Sequence, residues 1–177
     1  MQNNLIHPSA VIEPGARITD DVTVGPFSYI GSEVTLHSRV HIKSNVVVTG
    51  KTEIEEDTIV YPFAVIGEIP QDLKFNGEKT SLRIGKRNQI REHVTINTGT
   101  AGGGGLTLIG DDCLFMAGSH VAHDASIGNK VIIANSGAIA GHCIIEDDVI
   151  IGGLSGIHQF VRVGRGAIIG AVTMVTN

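Results

Sequence analysis

Residues 18–42 read ITDDVTVGPFSYIGSEVTLHSRVHI, and an aliphatic residue stands at every sixth position from Ile18 to Ile42. The period extends beyond this stretch, because every sixth residue from Ile6 to Ile66 is aliphatic. A period of six is not a multiple of the 3.6 residues in a helical turn, so the pattern excludes helices. A short fixed repeat of this kind predicts a solenoid in which each unit is a strand followed by a turn.

The same phase returns at Ile84, Ile90 and Ile96, and after a second break the pattern runs one residue later from Ile109 to Val175. The residue two places before each large apolar residue is mostly small or β-branched, and both face the same side of a strand. We therefore predict an all-β fold, a parallel β-helix of hexapeptide repeats with three faces and 18 residues per coil. Known solenoids of this class wind left-handed. Cys113 and Cys143 fall in the small inward positions, which predicts core residues rather than a disulfide.

Composition limits the size and class of the protein. A chain of 177 residues fits one domain, and a net charge of −5 without a basic block argues against a nucleic-acid partner. No apolar run reaches the roughly 20 residues that cross a bilayer, and residues 1–8 do not resemble a secretion signal. We expect a cytoplasmic protein with no transmembrane segment.

Two segments interrupt the repeat and are predicted to project as loops, at about 68–83 and 97–108. The first carries Asp72 and Lys74 close together, which favours a functional role. The second contains four consecutive glycines but lacks the Lys-Ser/Thr and helix start of a phosphate-binding loop. We interpret it as a flexible flap.

Polar residues gather on one corner of the predicted prism. An 18-residue coil places Gly141 directly above His123 and His142 directly above Asp124, with His120 facing outward on the preceding strand. A histidine beside an acid is a general-base pair, and the Gly141 N–H is suited to stabilising an oxyanion. No serine or cysteine nucleophile shares these columns, so the base would activate a substrate hydroxyl or amine. We expect these side chains to face outward, on the outer surface of the prism.

Zinc is the competing interpretation of the histidines. Gamma-class carbonic anhydrases hold zinc with three histidines on a similar scaffold, and two of those are separated by four residues. That spacing is missing here, so we predict no metal, although the sequence leaves zinc binding open.

Four motifs carry a resemblance to a known family: Pro-Gln-Asp-Leu-Lys at 70–74, His-Val-Ala-His-Asp at 120–124, Ala-Gly-His at 140–142 and Ile-His-Gln-Phe at 157–160. Together with the hexads they resemble the UDP-N-acetylglucosamine O-acyltransferases of lipid A biosynthesis. The resemblance implies a left-handed β-helix homotrimer with active sites in the clefts between subunits. It also implies transfer of a 3-hydroxyacyl chain from acyl carrier protein to the 3-hydroxyl of UDP-N-acetylglucosamine, without a cofactor.

The resemblance implies a role for each matching residue. His123 would be the general base, Asp124 its partner and Gly141 the oxyanion donor, while Ala171 falls where the family limits acyl-chain length. The residues implied to contact the sugar nucleotide are Gln71, Asp72, Lys74, His120, His142, His158 and Gln159.

The resemblance leaves two alternatives and one expected departure. Family members continue into a C-terminal helical domain, and we expect residues 1–177 to form a single β-helix domain without it, because the hexads run to the last residues. One alternative is the related N-acyltransferase of the same pathway, which carries a separate domain before its hexads. The other is a β-helix that serves assembly without catalysis.

Overall fold

The computed structural model describes residues 5–177, which coil into a three-sided parallel β-helix with one sheet on each side. The coil is left-handed, as predicted. Sheet A contains β1 (Leu5–Ile6), β4 (Thr23–Val24), β7 (His41–Ile42), β10 (Ile59–Val60), β13 (Gln89–Ile90), β16 (Leu114–Phe115), β19 (Ile132–Ile133), β22 (Ile150–Ile151) and β25 (Ile168–Ile169). Sheet B contains β2 (Val11–Ile12), β5 (Tyr29–Ile30), β8 (Val47–Val48), β11 (Val65–Glu68), β14 (Thr95–Asn97), β17 (His120–Val121), β20 (Ala138–Ile139), β23 (Gly156–Ile157) and β26 (Met174–Val175). Sheet C contains β3 (Arg17–Ile18), β6 (Thr35–Leu36), β9 (Lys51–Ile54), β12 (Ser81–Ile84), β15 (Leu106–Ile109), β18 (Ser126–Ile127), β21 (Ile144–Ile145) and β24 (Arg162–Val163).

The strand register follows the predicted coil. Val121 pairs with Ile139, and Ile139 pairs with Ile157, so each residue lies over the one 18 places earlier. The offset widens only where a loop is inserted, as between Val60 and Ile90. Large inward aliphatic residues therefore stack on one another in successive coils, and they form a single continuous core. Cys113 and Cys143 are buried in this core as free thiols, as predicted.

The turns explain how short strands meet at sharp corners. The third residue after each large inward residue adopts a left-handed conformation in most turns, and the set includes non-glycine residues such as Asp124 (φ 58°), His142 (φ 61°) and Phe160 (φ 64°). Side chains in this region are normally disfavoured, so the stacked coils impose it. In three of these turns the residue before it is a proline, which has no backbone donor to satisfy, at Pro14, Pro26 and Pro62.

The two loops are shorter than the breaks in the repeat suggested. The strands extend into both breaks, so the connecting segments are residues 69–80 between β11 and β12 and 98–105 between β14 and β15. The second contains a single 3₁₀ turn, Ala101–Gly103. Within residues 5–177 there is no helix whose length and apolar character would let it traverse a bilayer.

Candidate active site

The histidines and the acid meet at the corner where the chain passes from sheet B to sheet C, which we call the BC corner. Strand β17 ends at Val121, and the turn that follows carries His123 and Asp124. His142 donates its backbone N–H to the carbonyl of His123 (3.1 Å), and Phe160 donates to the carbonyl of Gly141 (3.2 Å). Successive coils are therefore locked in register at this corner.

His123 and Asp124 form a hydrogen-bonded pair. The distance from His123 Nδ1 to Asp124 Oδ2 is 2.8 Å. A carboxylate only accepts hydrogen bonds, so Nδ1 carries the proton and Nε2 presents its lone pair. Nε2 has no hydrogen-bond partner within residues 5–177. This is the tautomer that a general base requires.

The pair is buried, although the sequence predicted a position on the outer surface. The side chains of His123 and Asp124 are only 7% and 1% exposed. The reason is the next coil, since Gly141 lies so close above His123 that a Cβ at residue 141 would stand 2.5 Å from Cε1 of the imidazole. Glycine at 141 thus makes room for the ring, and the covering coil removes it from water.

The glycine-rich loop holds Asp124. The carboxylate accepts hydrogen bonds from the Thr100 backbone N–H (2.8 Å to Oδ1) and from the Thr100 hydroxyl (2.6 Å to Oδ2). The loop lies against this carboxylate, because a Cβ on Gly103 would stand 2.0 Å from Asp124 Cγ. The interpretation of a flexible flap was therefore wrong, since the loop is hydrogen-bonded to the buried acid. Sequence reasoning missed Thr100 because the insertion removes it from the six-residue register.

His142 packs between two rings. Its ring stacks parallel on Phe160 with 4.5 Å between centroids and meets His123 edge-on at 5.0 Å. Its Nδ1 lies 3.8 Å from Asp124 Oδ2. Asp124 therefore has two histidines within reach and is hydrogen-bonded to one of them.

The ligand atoms of His123, Asp124 and His142 lie within 4.8 Å of one another, which is close enough to consider a metal ion. The geometry favours the hydrogen-bonded pair, because Asp124 Oδ2 already accepts from Thr100 and His123 at hydrogen-bond distances. That no metal takes part stays a prediction.

A cavity of about 380 Å³ runs along the outer face of sheet B beside His123. The residues that line it are mainly apolar. They are small where Ala138 and Gly156 stack in consecutive coils, and Met174 lies at the far end. Its polar lining comes from Gln71, Asn97, His120, His123, His158 and Gln159. The cavity therefore has the shape and chemistry to take an apolar chain beside a polar group.

His120 faces this cavity from strand β17. Its Nδ1 lies 2.7 Å from the hydroxyl of Thr95 on the coil below. Burial lowers the pKa of His120, a hydrogen bond with the Thr95 backbone acts in the opposite direction, and nearby His123 lowers it further. His120 is therefore neutral at neutral pH and suited to hydrogen bonding rather than to charge.

Five predicted residues lie outside the cavity lining of this chain, namely Asp124 and His142 at the BC corner and Asp72, Lys74 and Ala171 elsewhere. Asp72 and Lys74 stand on the 69–80 loop, where Asp72 Oδ1 accepts the backbone N–H of Lys74 (3.0 Å). Ala171 lies against Gly152, at the corner where the chain passes from sheet A to sheet B, which we call the AB corner.

Asn97 and Met174 are among the cavity residues that were missed in the sequence. Asn97 is buried and donates from Nδ2 to the carbonyl of Ile69 (3.1 Å), while its Oδ1 has no hydrogen-bond partner among the described residues. Met174 lies over Gly156, since a Cβ on Gly156 would stand 2.9 Å from the Met174 methyl. The outward column of sheet B, one residue before each large apolar residue, would have identified Met174.

Known proteins resemble this chain in sequence and in scaffold. Residues 107–141 match the bacterial transferase hexapeptide (six repeats) family. The chain is 72% identical over 118 residues to an acyl-[acyl-carrier-protein]–UDP-N-acetylglucosamine O-acyltransferase of Paracoccus denitrificans, covering 67% of this chain and 45% of that protein. It is 50% identical over 171 residues to the enzyme of the same name from Rhizobium johnstonii, covering 97% and 63%. The chain thus spans about half to three fifths of the length of these curated relatives.

Solved structures agree along nearly the whole chain. LpxA of Acinetobacter baumannii superposes with a TM-score of 0.95 at 43% identity, covering 97% of this chain and 67% of that one. The UDP-N-acetylglucosamine acyltransferase of Campylobacter jejuni gives a TM-score of 0.93 at 42% identity, with the same coverage. The resemblance read from the four motifs is therefore confirmed, and the chain belongs to the family of UDP-N-acetylglucosamine O-acyltransferases built on hexapeptide repeats.

Proposed function

We propose that this protein is an O-acyltransferase that moves a 3-hydroxyacyl chain from acyl carrier protein to the 3-hydroxyl of UDP-N-acetylglucosamine, the first step of lipid A synthesis. The observation that carries the proposal is the buried His123–Asp124 pair, whose Nε2 is left unpaired beside an apolar cavity in a chain of this family. The names of the curated relatives include the acyl-carrier-protein donor, the UDP-N-acetylglucosamine acceptor and O-acyl transfer.

The proposed mechanism uses the groups in place. His123 Nε2 takes the proton of the sugar 3-hydroxyl as its oxygen attacks the thioester carbonyl carbon. Asp124 holds the imidazolium that forms. The tetrahedral intermediate then collapses, the carbon–sulfur bond breaks, and the leaving thiolate takes the proton from Nε2. The products are the O-acyl sugar nucleotide and the free thiol of acyl carrier protein.

Gly141 supplies the proposed oxyanion donor. Its backbone N–H has no acceptor within residues 5–177, and it belongs to the turn position that proline occupies in other coils. The scaffold therefore does not need this N–H for pairing between coils, and at the BC corner Gly141 lies beside the His123 ring. A free, preorganised N–H next to the base is the arrangement that stabilises a developing oxyanion.

The polar cavity residues are assigned to the sugar nucleotide. We propose that His120, His158 and Gln159 contact it together with Gln71, and that His142 supports the site beside Asp124. Asp72 and Lys74 stand outside the cavity in one chain, so their proposed contact with the nucleotide requires the cleft of an assembled homotrimer.

Exposed aliphatics on the outer face of sheet A favour such an assembly. Ile132 and Ile150 stack in adjacent coils, and Ile150 is 37% exposed although a further coil follows it. Contiguous exposed apolar surface is typical of a protein interface. The homotrimer and the cytoplasmic location remain predictions.

The acyl chain is assigned to the apolar part of the cavity, along Ala138 and Gly156 toward Met174. Ala171, which the family resemblance connects with chain length, lies three residues before Met174 at the AB corner. We propose that both residues bound the far end of the acyl site.

The proposal is tested by incubating the purified protein with UDP-N-acetylglucosamine and 3-hydroxyacyl thioesters of acyl carrier protein in a series of chain lengths. Mass spectrometry should show a base-labile ester on the 3-hydroxyl, and its formation should persist in a metal chelator. An amide on a 3-amino acceptor, without ester formation, would identify the related N-acyltransferase activity. A folded protein that forms neither product would support the assembly role.

A further inference from the structure

Asp124 accepts three hydrogen bonds in a site closed to solvent. Thr100 donates two of them, its N–H to Oδ1 and its hydroxyl to Oδ2, and His123 donates the third to Oδ2. Because the two Thr100 bonds reach different oxygens, they fix the plane of the carboxylate as well as its position. Bonds to a carboxylate are among the stronger hydrogen bonds in proteins.

Thr100 is itself held from several directions. It is buried, and its carbonyl accepts the backbone N–H groups of Gly103 (3.1 Å) and Gly105 (2.8 Å). The preceding Gly99 donates to the carbonyl of Ser81 (3.3 Å). A second link comes from Glu78, which accepts the N–H of Ala101 (3.2 Å). The loop is therefore a fixed support for Asp124.

Asp124 lies near two histidines, and the hydrogen bonds from Thr100 favour its pairing with one of them. Its Oδ2 lies 2.8 Å from His123 Nδ1 and 3.8 Å from His142 Nδ1. A rotation of the carboxylate would exchange the two histidines and leave His123 without the acceptor that sets its tautomer. The Thr100 hydrogen bonds oppose this rotation.

We infer that Thr100 is a positioning residue that clamps the Asp124 carboxylate onto His123 and away from His142. The inference rests on the proposed acyltransferase function for its kinetic consequence, but the choice of histidine is a property of the resting protein. Thr100 acts through Asp124 and does not touch the reacting atoms.

The test compares Thr100→Val, which removes the hydroxyl at nearly constant volume, with Thr100→Ser, which keeps it. Thr98→Val is the matched control, because Thr98 is also buried in this segment and its hydroxyl contacts Thr80 instead of Asp124. We expect Thr100→Val to lower kcat by about tenfold, the cost of one hydrogen bond to a charged group, with KM for both substrates unchanged. Thr100→Ser should restore most of kcat, and Thr98→Val should behave like the parent.

Nitrogen NMR of the histidine rings gives a readout that does not depend on activity. In the parent, His123 should carry its proton on Nδ1, and Thr100→Val should shift His123 toward a mixture of tautomers while His142 gains an Nδ1 proton. Parent-like kcat and parent-like tautomers in folded Thr100→Val would overturn the clamp. A loss of melting temperature without either change would also overturn it, because that marks a purely structural role.

The proposed function can fail separately. If the parent transfers no acyl group, or if His123→Ala transfers it at the parent rate, the reaction assignment is wrong. The tautomer measurement still decides whether Thr100 directs Asp124 to His123.

Discussion

At the scale of single residues, the site depends on polar side chains that lie outside the aliphatic core and are nevertheless buried. His123 and Asp124 belong to a turn, but they are buried because the next coil carries glycine at 141 and covers them. Burial strengthens the hydrogen bonds between them, since water no longer competes. The same burial acts on His120, which hydrogen-bonds Thr95 and remains neutral at neutral pH.

Replacement of His120 by Gln should make the stability of the folded protein decrease less steeply as the pH falls below neutrality. The pKa of His120 is lower in the folded protein than its usual value, chiefly through burial, so the unfolded chain binds more protons between the two values. Stability from this residue is therefore present above about pH 6.5 and is lost as the pH falls below it.

Melting temperature measured between neutral pH and pH 5 should decrease less steeply in His120→Gln than in the parent. His7→Gln, at an exposed position, is the control and should keep the parent slope. Equal slopes in the parent and His120→Gln would refute the assignment.

The stacking of particular residues was predictable from the sequence, but their environment was not. The six-residue period placed Gly141 over His123 and His142 over Asp124, because register in a solenoid follows from counting. The burial of His123 was missed, since it depends on how closely one coil approaches the next. Thr100 and Asn97 were missed because they lie at or beyond the point where an insertion interrupts the count.

At the scale of elements, the glycine-rich loop is defined by the acid it covers. Gly103 has no room for a side chain beside Asp124, whereas Gly102, its neighbour in the same 3₁₀ turn, has nothing within 4 Å of its Cβ position. The two glycines therefore look alike in the sequence, but their substitution by alanine is expected to have different effects.

Gly103→Ala should reduce kcat and lower stability by about 1–3 kcal/mol, the usual cost of overpacking, because Asp124 or the loop must move. Gly102→Ala should leave both properties near those of the parent. Steady-state kinetics and denaturant unfolding of the two variants provide the comparison. Similar behaviour of the two would mean that the loop yields without disturbing Asp124.

The outer face of sheet B is the second functional element, because its outward column replaces large residues with Ala138 and Gly156 next to the histidines. Gly156→Leu should fill the cavity before Met174 and shift selectivity toward shorter acyl chains. The substituted side chain meets only the flexible end of Met174, so the fold should survive. Competition between acyl carrier protein thioesters of different lengths measures the shift.

Gly164→Leu is the control for that change, because nothing lies within 4 Å of its Cβ position and it stands outside the cavity. Its chain-length selectivity should match that of the parent. Unchanged chain-length selectivity in Gly156→Leu would show that the acyl chain does not bind in this cavity.

At the scale of the whole molecule, the three corners of the prism differ in chemistry. The corner where the chain passes from sheet C to sheet A, the CA corner, carries alternating charges in successive coils. Two pairs show the pattern, Arg39 with Asp57 (2.6 Å) and Arg87 with Asp112 (2.7 Å). Such exposed pairs favour the correct register and solubility more than stability. The stability of the prism comes from its aliphatic interior, which is consistent with a sequence that has no tryptophan and only 4% aromatic residues.

Ile90→Ala should therefore lower the melting temperature strongly, because Ile90 is fully buried in sheet A and its truncation costs about 2–5 kcal/mol. Arg39→Gln, which breaks an exposed ion pair, should melt close to the parent. Calorimetry measures the melting temperature of both variants. A loss in Arg39→Gln equal to that in Ile90→Ala would place the stability in the charged corner instead.

The central claim is that His123 is the general base of an acyl transfer, and it is tested most directly by kcat of His123→Ala with UDP-N-acetylglucosamine and a 3-hydroxyacyl thioester of acyl carrier protein. The ring is buried, so some loss of melting temperature is expected, and the assay belongs at a temperature where the variant is folded. We predict a loss of kcat of about 10²–10⁴-fold, the range for removal of a general base. Transfer near the parent rate by the folded variant would contradict the account.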